Sequence, residues 1–405
     1  AALHRAKSRY MQRRAGKLAD EAATLEPFDR SVAPDGINMI GPICERSGLG
    51  QSMRLVAEEI DSCGDIPLSI REYHLPGDSS QSETTWANRI TENLPYNINI
   101  IKRTPLEFPV GYFTLGREVF NKHYNIAHWV WELEEFPAEW AVCASVVDEI
   151  WTPSDFSRDA IARVVDKPVY TIPDYVSAPV DLEQYDRAHF GLSEDEFVCL
   201  VMYDSGSVMD RKNPMGAIEA YRKAFSDLEI AAGGRTPALM VKMNGRNDAE
   251  EQRLREYLSG CGNVHFITKS LSKVEVNSLI ANADVFISLH RAEGFGLVMA
   301  EAMLVGTPCV ATNYSGNTEF MNGDVACMVD YELVPLTRDI GPYQKGMHWA
   351  EPDVDQAAEY LRKLYQDEAF YGKLQQAARS FVQERLGLSA IQQRIRARYS
   401  EILNR

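Results

Sequence analysis

The feature that most limits how this chain can fold is an alternation that starts at Phe197. Short apolar runs at Phe197–Val201, Ala238–Met243, Val264–Ile267, Asp284–Leu289 and Pro308–Thr312 read as strands. Between them lie longer stretches with helical spacing, at Asn213–Phe225, Asp248–Leu258, Ser272–Asn282 and Gly296–Val305. Pro214 stands in the first turn of one of these helices, and Ser272 is placed to cap another. A strand that is apolar throughout must be covered on both faces. Strand–helix alternation meets that need with a parallel sheet that has helices on each side.

A looser form of the same pattern occupies the first half. Ile37–Ile40 reads as a strand. The glycine-bearing loop Ser47-Gly48-Leu49-Gly50-Gln51-Ser52 follows, then a helical run from Met53 to Ile60. Further strands are expected at Leu68–Tyr73, Tyr96–Ile101, Tyr124–Trp129, Glu149–Thr152 and Pro168–Ile172. A chain of 405 residues is long for one core and comfortable for two. Ser177-Ala178-Pro179 breaks the pattern between the halves. The division expected is a basic helix or linker over 1–30, one domain over 31–180 completed by 388–405, and a second over 181–387. From about residue 353 onward the chain reads as helical, with a last helix from Ser389 to Leu403.

Charge removes some function classes. The formal net charge is -16, so the chain repels nucleic-acid phosphates, and an anionic ligand must be held by local cations or backbone N–H groups. The basic residues Arg5, Lys7, Arg9, Arg13, Arg14 and Lys17 precede the first acid, Asp20. They suit either a solvated helix or contact between residues 1–20 and an anionic membrane surface. The seven cysteines form no C-x-x-C pair, which points to buried reduced thiols rather than zinc or redox chemistry. No apolar run approaches the roughly 18 residues of a membrane helix. A cytoplasmic protein is expected, with the inner membrane face as a peripheral option. Because the chain starts at Ala1 without an initiator Met, both processing and origin in a longer polypeptide stay open.

The chemistry is expected in His290-Arg291-Ala292-Glu293-Gly294-Phe295-Gly296-Leu297-Val298-Met299-Ala300-Glu301. A strand ends at Leu289, a glycine-bearing turn follows, and a helix opens near Gly296. The turn and helix start offer unbonded N–H groups at the carboxyl edge of the sheet, a place that binds phosphate or sugar oxygens. Glu293 in the turn and Glu301 in the helix are spaced to reach two sets of hydroxyls. Each carboxylate has two acceptor oxygens for a hydroxyl pair.

This segment resembles the Glu-x7-Glu signature of the family-four retaining glycosyltransferases. The flanking runs Asn282–Ser288 and Ala302–Thr312 are similar to that family too. The resemblance implies an α/β GT-B fold, with two Rossmann-like doubly wound domains facing a central cleft and the last helix crossing back onto the first domain. It implies that Glu293 binds donor-sugar hydroxyls and Glu301 the ribose. Phe295, Gly296 and Leu297 would offer backbone N–H groups to sugar and diphosphate. Met209-Asp210-Arg211-Lys212-Asn213-Pro214 matches the place where the family keeps a basic residue against the diphosphate, so Lys212, assisted by Arg211, takes that role. Two cations at the start of a helix oppose its dipole unless an anion lies between them. The family's further Arg after a Gly is missing, since Tyr203-Asp204-Ser205-Gly206-Ser207 stands there.

Weaker matches complete the expected site. Lys242 suits either a phosphate contact or an exposed strand end. Gly48 and Gly50 resemble the family's glycine loop near diphosphate and acceptor, and Arg54 is a further candidate one turn on. Trp129-Val130-Trp131-Glu132-Leu133-Glu134-Glu135-Phe136-Pro137 resembles a run in a subset of the family. There aromatics would stack on sugars, Glu132 would bind hydroxyls, and His128 would sit beside the donor sugar. Ser154 or Asp155 is expected to cap a helix.

The function implied is metal-independent, retaining transfer of a hexose from GDP-mannose or UDP-glucose to a glycan or lipid-linked acceptor in cell-surface polysaccharide synthesis. No cofactor and no metal are expected. Two alternatives stand beside it. One is a nucleotide-sugar epimerase or phosphorylase on the same fold. The other is a non-catalytic sugar-nucleotide-binding module of a larger protein.

Overall fold

The computed structural model describes residues 16–75, 83–177, 181–228, 234–245 and 247–405. It divides into two compact units, the first spanning Ala1–Tyr175 with Leu388–Arg405 and the second Val176–Gly387. Of the N-terminal basic residues, only Lys17 lies among the described ones, in a helical stretch over 16–22. Among the described residues no helix is long and apolar enough to cross a membrane. All seven cysteines are free thiols.

The first unit is built on six parallel strands: β1 Ile37–Gly41, β2 Leu68–Glu72, β3 Ile98–Lys102, β4 Tyr124–His128, β5 Glu149–Thr152 and β6 Val169–Thr171, in the order β2-β1-β3-β4-β5-β6. Every residue of β1, β3, β4 and β5 is buried, as strands covered on both faces require. Polar residues inside them are paired. Asn38, Asn99 and Asn125 stand in register on three neighbouring strands. Asn38 Nδ2 donates to Asn99 Oδ1 and Asn99 Nδ2 to Asn125 Oδ1, each at 2.9 Å. The C-terminal helix Leu388–Leu403 buries Ile391, Ile395, Arg398 and Ile402 in this unit. Arg398 is paired with the fully buried Glu149 at the start of β5.

The second unit repeats the plan with β7 Glu196–Asp204, β8 Thr236–Asn244, β9 Val264–Ile267, β10 Val285–Ser288, β11 Cys309–Thr312 and β12 Cys327–Val329, all parallel, in the order β12-β11-β10-β7-β8-β9. Its core gathers Val201, Val241 and Ile287 from the sheet with Ile218 and Tyr221 from helix Pro214–Phe225 and Leu361 from helix Val354–Gln366. Helix Lys273–Asn282 opens with a capping box between Ser272 and Glu275. A two-stranded antiparallel sheet of β13 Tyr331–Pro335 and β14 His348–Pro352, absent from the expectations above, follows β12.

The expected elements need two local corrections. Gly48 and Gly50 lie in the first turn of helix Gly48–Asp61, not in a loop before it. Ser47 caps that helix by accepting from Gly50 N, so helical structure starts five residues before Met53. Arg211 and Lys212 do not begin helix Pro214–Phe225. They end a separate short helix, Met209–Lys212, which Asn213 terminates in the left-handed region at φ 49°. At that end of a helix cations agree with the dipole, so the expected conflict disappears.

Candidate functional site

In the second unit β7 lies between β8 and β10, so the chain leaves β7 and β10 toward opposite faces of the sheet. Open α/β sheets bind ligands at such a switch point, beyond the carboxyl ends of the strands. Helix Met209–Lys212 follows β7, and the turn from Leu289 to Gly296 follows β10. Four hydrogen bonds fasten one to the other. Arg291 N donates to Arg211 O (2.7 Å), Arg211 Nη1 to Ala292 O (2.8 Å), Asn213 Nδ2 to Leu289 O (2.8 Å) and Arg291 Nη1 to Asp210 O (2.7 Å). Arg291 also pairs through Nε and Nη2, one edge of its guanidinium, with both carboxylate oxygens of Glu351 of β14, at 2.7 and 2.8 Å.

This fastening brings Lys212 and Glu293 together, 81 residues apart in sequence. Lys212 Nζ lies 2.5 Å from Glu293 Oε2, and Arg211 Nη1 lies 3.5 Å from the same oxygen. Burial pushes the Glu293 carboxyl up, but Lys212 and Arg211 outweigh it and hold the group down at about 2. Glu293 is therefore an ionised acceptor at any ordinary pH. His290 beneath the turn is fully buried, and burial lowers its pKa, so its ring is neutral.

A second strut comes from the loop after β11, which sequence reasoning passed over. Glu293 N donates to Ser315 Oγ, and Gly316 N to Glu293 O, each at 2.8 Å. Ser315 is buried at φ 77°, a region where a non-glycine residue is strained, and such strain gathers at functional sites. Gly316 lies so close to the turn that a Cβ there would stand 2.1 Å from Gly294 O. Asn317 Oδ1 is 3.1 Å from His290 Nε2. The signal in the sequence was Ser315-Gly316-Asn317 after a buried strand, a short polar loop like any other.

Gly296, at φ 96°, then starts helix Leu297–Val305, and no side-chain hydrogen bond caps it. Its first N–H groups are thus placed for oxygens of a ligand. The Phe295 ring is buried 5.1 Å from that of Phe320, so any ligand contact by this residue rests on its backbone. Glu301, in the second turn, is ion-paired with Lys273. Lys242 is not at an exposed strand end. It is buried within β8 and donates to Met243 O at 2.9 Å; burial lowers its amine to about 8.

In the first unit, Gly50 allows the capping turn to close on itself, since a Cβ there would stand 2.3 Å from Glu45 O. Arg54 is turned onto the same loop, donating to Ile43 O and Glu45 O at 2.7 and 2.8 Å, and is used up in holding it. Ser154 is the cap of helix Asp155–Ala162. His128 ends β4, fully buried beside Lys102. Glu132 is half-buried in the loop that follows. The aromatics of that loop do not offer faces to a ligand. Trp129, Trp131, Phe136 and Trp140 are buried and pack on each other, with centroids 5.2–6.3 Å apart. They are the loop's own core, because large apolar rings without a covering ligand gain more from mutual burial.

Two six-stranded, parallel, Rossmann-like sheets in one chain are the GT-B architecture, and the cation–carboxylate pair stands at the switch point of the second. Residues 186–381, within the second unit, match the family model of "Glycosyl transferases group 1". Among curated proteins, the chain is 29% identical over 112 residues to the trehalose phosphorylase of Pleurotus pulmonarius, covering 28% of this chain and 13% of that protein. It is 27% identical over 150 residues to the D-inositol 3-phosphate glycosyltransferase of Paenarthrobacter aurescens, covering 36% and 34%. The match thus spans about a third or less of those relatives. Similar solved structures include sucrose-phosphate synthase from Thermosynechococcus elongatus (TM-score 0.65, 16% identity, 92% of this chain and 100% of that one). Anabaena HepE in complex with UDP and glucose is also similar (TM-score 0.62, 15% identity, 91% and 100%).

Proposed function

We propose that this chain is a retaining, metal-independent glycosyltransferase that moves a hexose from a nucleotide-diphospho-sugar to a glycan or lipid-linked acceptor. The observation that carries the reading is the Lys212–Glu293 pair, held at the β7/β10 switch point of a glycosyl transferases group 1 domain. When the donor binds, Lys212 and Arg211 take the diphosphate as a second anion while staying beside Glu293, which remains ionised and accepts from sugar hydroxyls. The N–H groups at Gly296 and Leu297 add to the stabilisation of charge on the leaving group, the task a metal ion performs elsewhere. Glu301 takes the ribose hydroxyls and gives up its pairing with Lys273.

Glu293 at about 2 is too weak a base to take the acceptor's proton, and too fully ionised to give one. The bond from the anomeric carbon to the phosphate oxygen breaks and a bond from that carbon to the acceptor oxygen forms on the same face. The acceptor's proton passes to the leaving phosphate. Mannose and glucose are the favoured hexoses, as GDP-mannose or UDP-glucose. Cell-surface polysaccharide synthesis at the cytoplasmic face of a membrane is the proposed setting.

Calorimetric titration with UDP, GDP, ADP and their hexose conjugates, with and without EDTA, tests this. Expected is EDTA-insensitive binding of one nucleotide, weakened about tenfold or more in Glu301→Ala. Product analysis with an acceptor should then give transfer with the donor's anomeric configuration kept. The match to a trehalose phosphorylase favours a second reading, in which inorganic phosphate is a reactant. Turnover only when phosphate and a disaccharide are supplied would select it. Failure of every nucleotide to bind sinks the transferase reading and leaves a non-catalytic module of a larger protein.

A further inference from the structure

The carboxyl edge of the first unit's sheet holds a buried polar chain that the roles above leave unexplained. Lys102 and His128 are the last residues of β3 and β4 and stand opposite each other in register. Lys102 Nζ contacts His128 Nδ1 and lies 2.7 Å from Ser52 Oγ on helix Gly48–Asp61. Ser52 Oγ lies 2.6 Å from Asp174 Oδ1. Glu59, two turns along the same face of that helix, accepts from Tyr175 N at 2.7 Å. Lys102, His128, Ser52, Asp174 and Glu59 are all buried.

The donors and acceptors fix the direction of this chain. A charged ammonium has no lone pair, so Lys102 can only donate. Ser52, having accepted from Lys102, donates to Asp174. His128 Nδ1 must likewise accept and so carries no hydrogen. Burial, with Lys102 beside it, holds the ring far below its usual pKa, so it does not take a second proton. Burial lowers the Lys102 amine to about 8 against the pull of the Asp174 and Glu59 carboxyls, so Lys102 is an ammonium at neutral pH. His128 Nε2 is sealed from solvent and has no hydrogen-bond partner among the described residues. A buried donor in that state is destabilising, a cost that a substrate oxygen would remove.

We infer that Lys102 is a positioning residue that holds His128 as the Nε2–H tautomer, so that His128 serves as a neutral hydrogen-bond donor to a substrate oxygen and not as an acid or a base. This rests on the proposed transfer site for its purpose, though not for its geometry. The partner it fits is an uncharged acceptor such as a sugar hydroxyl or ring oxygen.

The test is nitrogen-15 NMR of the imidazoles in the full chain, with His128 assigned among the eight histidines by the signal lost in His128→Gln. Expected is one neutral form, protonated on Nε2, across the neutral pH range. An Nδ1–H form or an imidazolium in the wild-type chain overturns the proposal, whatever the enzyme turns over. In Lys102→Met, which keeps length and removes the donor, the single pattern should give way to a tautomer mixture. kcat should fall about tenfold with the nucleotide's Kd unchanged. A Lys102→Met spectrum identical to wild type also overturns it. Should that variant not fold, the wild-type spectrum alone decides. Absence of sugar transfer with the Nε2–H form present would count against the transferase reading and leave the tautomer standing.

Discussion

Glu293 shows how one residue's neighbours decide its chemistry. Burial favours the protonated acid, while Lys212 at 2.5 Å and Arg211 at 3.5 Å favour the carboxylate and win. A carboxyl depressed from 4.5 to about 2 contributes stability that is fully present above the unfolded value and is lost as pH falls through the folded one. A depression of that size corresponds to on the order of 3 kcal/mol. Lys212→Ala removes the nearer cation, so its stability deficit should be largest at neutral pH and shrink steadily below pH 4.5. Urea unfolding of both proteins from neutral to acid pH measures this. A deficit independent of pH would mean that Lys212 does not hold the carboxyl down. Turnover in the same variant should drop about a hundredfold or more, as on loss of a preorganised charge at the leaving group. Glu293 and Glu301 stood out in the sequence as carboxylates around a glycine turn between apolar runs, and Lys212 as one of two adjacent cations where the resembled family keeps a basic residue. Ser315, Gly316 and Arg291 did not, because their work is to hold backbone, and small polar residues or a single Arg do that in countless loops.

Among the elements, β12 Cys327–Val329 was too short to stand out, but strands β1 to β11 were legible to within a few residues, since a run such as Phe197–Val201, apolar throughout, has few other uses. Their pairing was not. Asn38, Asn99 and Asn125 each look like a polar interruption, and only the register reveals that they form one ladder across β1, β3 and β4. β13 and β14 escaped notice because Glu332 and the half-exposed Leu333 blur the alternation that marks a strand. The ladder gives an element-scale prediction. Asn99 Nδ2 donates to Asn125 Oδ1 and to Val119 O, and its Oδ1 accepts from Asn38. Asn99→Leu puts an apolar group of similar size there and strips partners from groups that water cannot reach. The expected loss is about 2–4 kcal/mol, read as a lower denaturation midpoint. A neutral or stabilising result would show that the ladder is replaceable by apolar packing.

At the scale of the whole molecule, two separate switch-point sheets from one chain were legible as a class, because strand–helix alternation runs through both halves and admits little else. The assignment of the last helix to the first unit has a physical basis that no local pattern carries. Ile391, Ile395 and Ile402 form its buried stripe, and Arg398 reaches Glu149, whose other partners are Tyr124 and Trp151. Arg396 adds bonds to Cys63 O and Asp65. Burying three isoleucines stabilises by roughly 5–9 kcal/mol, and stranding a buried charge costs about 3–5 kcal/mol more. Together these rival the roughly 5–15 kcal/mol that keeps a typical domain folded. Removing residues 388–405 should therefore unfold the first unit, while the second, with its own sheet and core, stays folded. Hydrogen exchange distinguishes the cases peptide by peptide. β3 and β4 should lose their protection while β7 and β8 keep theirs. If all four lose protection together, the second unit does not stand on its own core. If all four keep it, the C-terminal helix is dispensable, and the burial of its isoleucines contributes far less than its area implies.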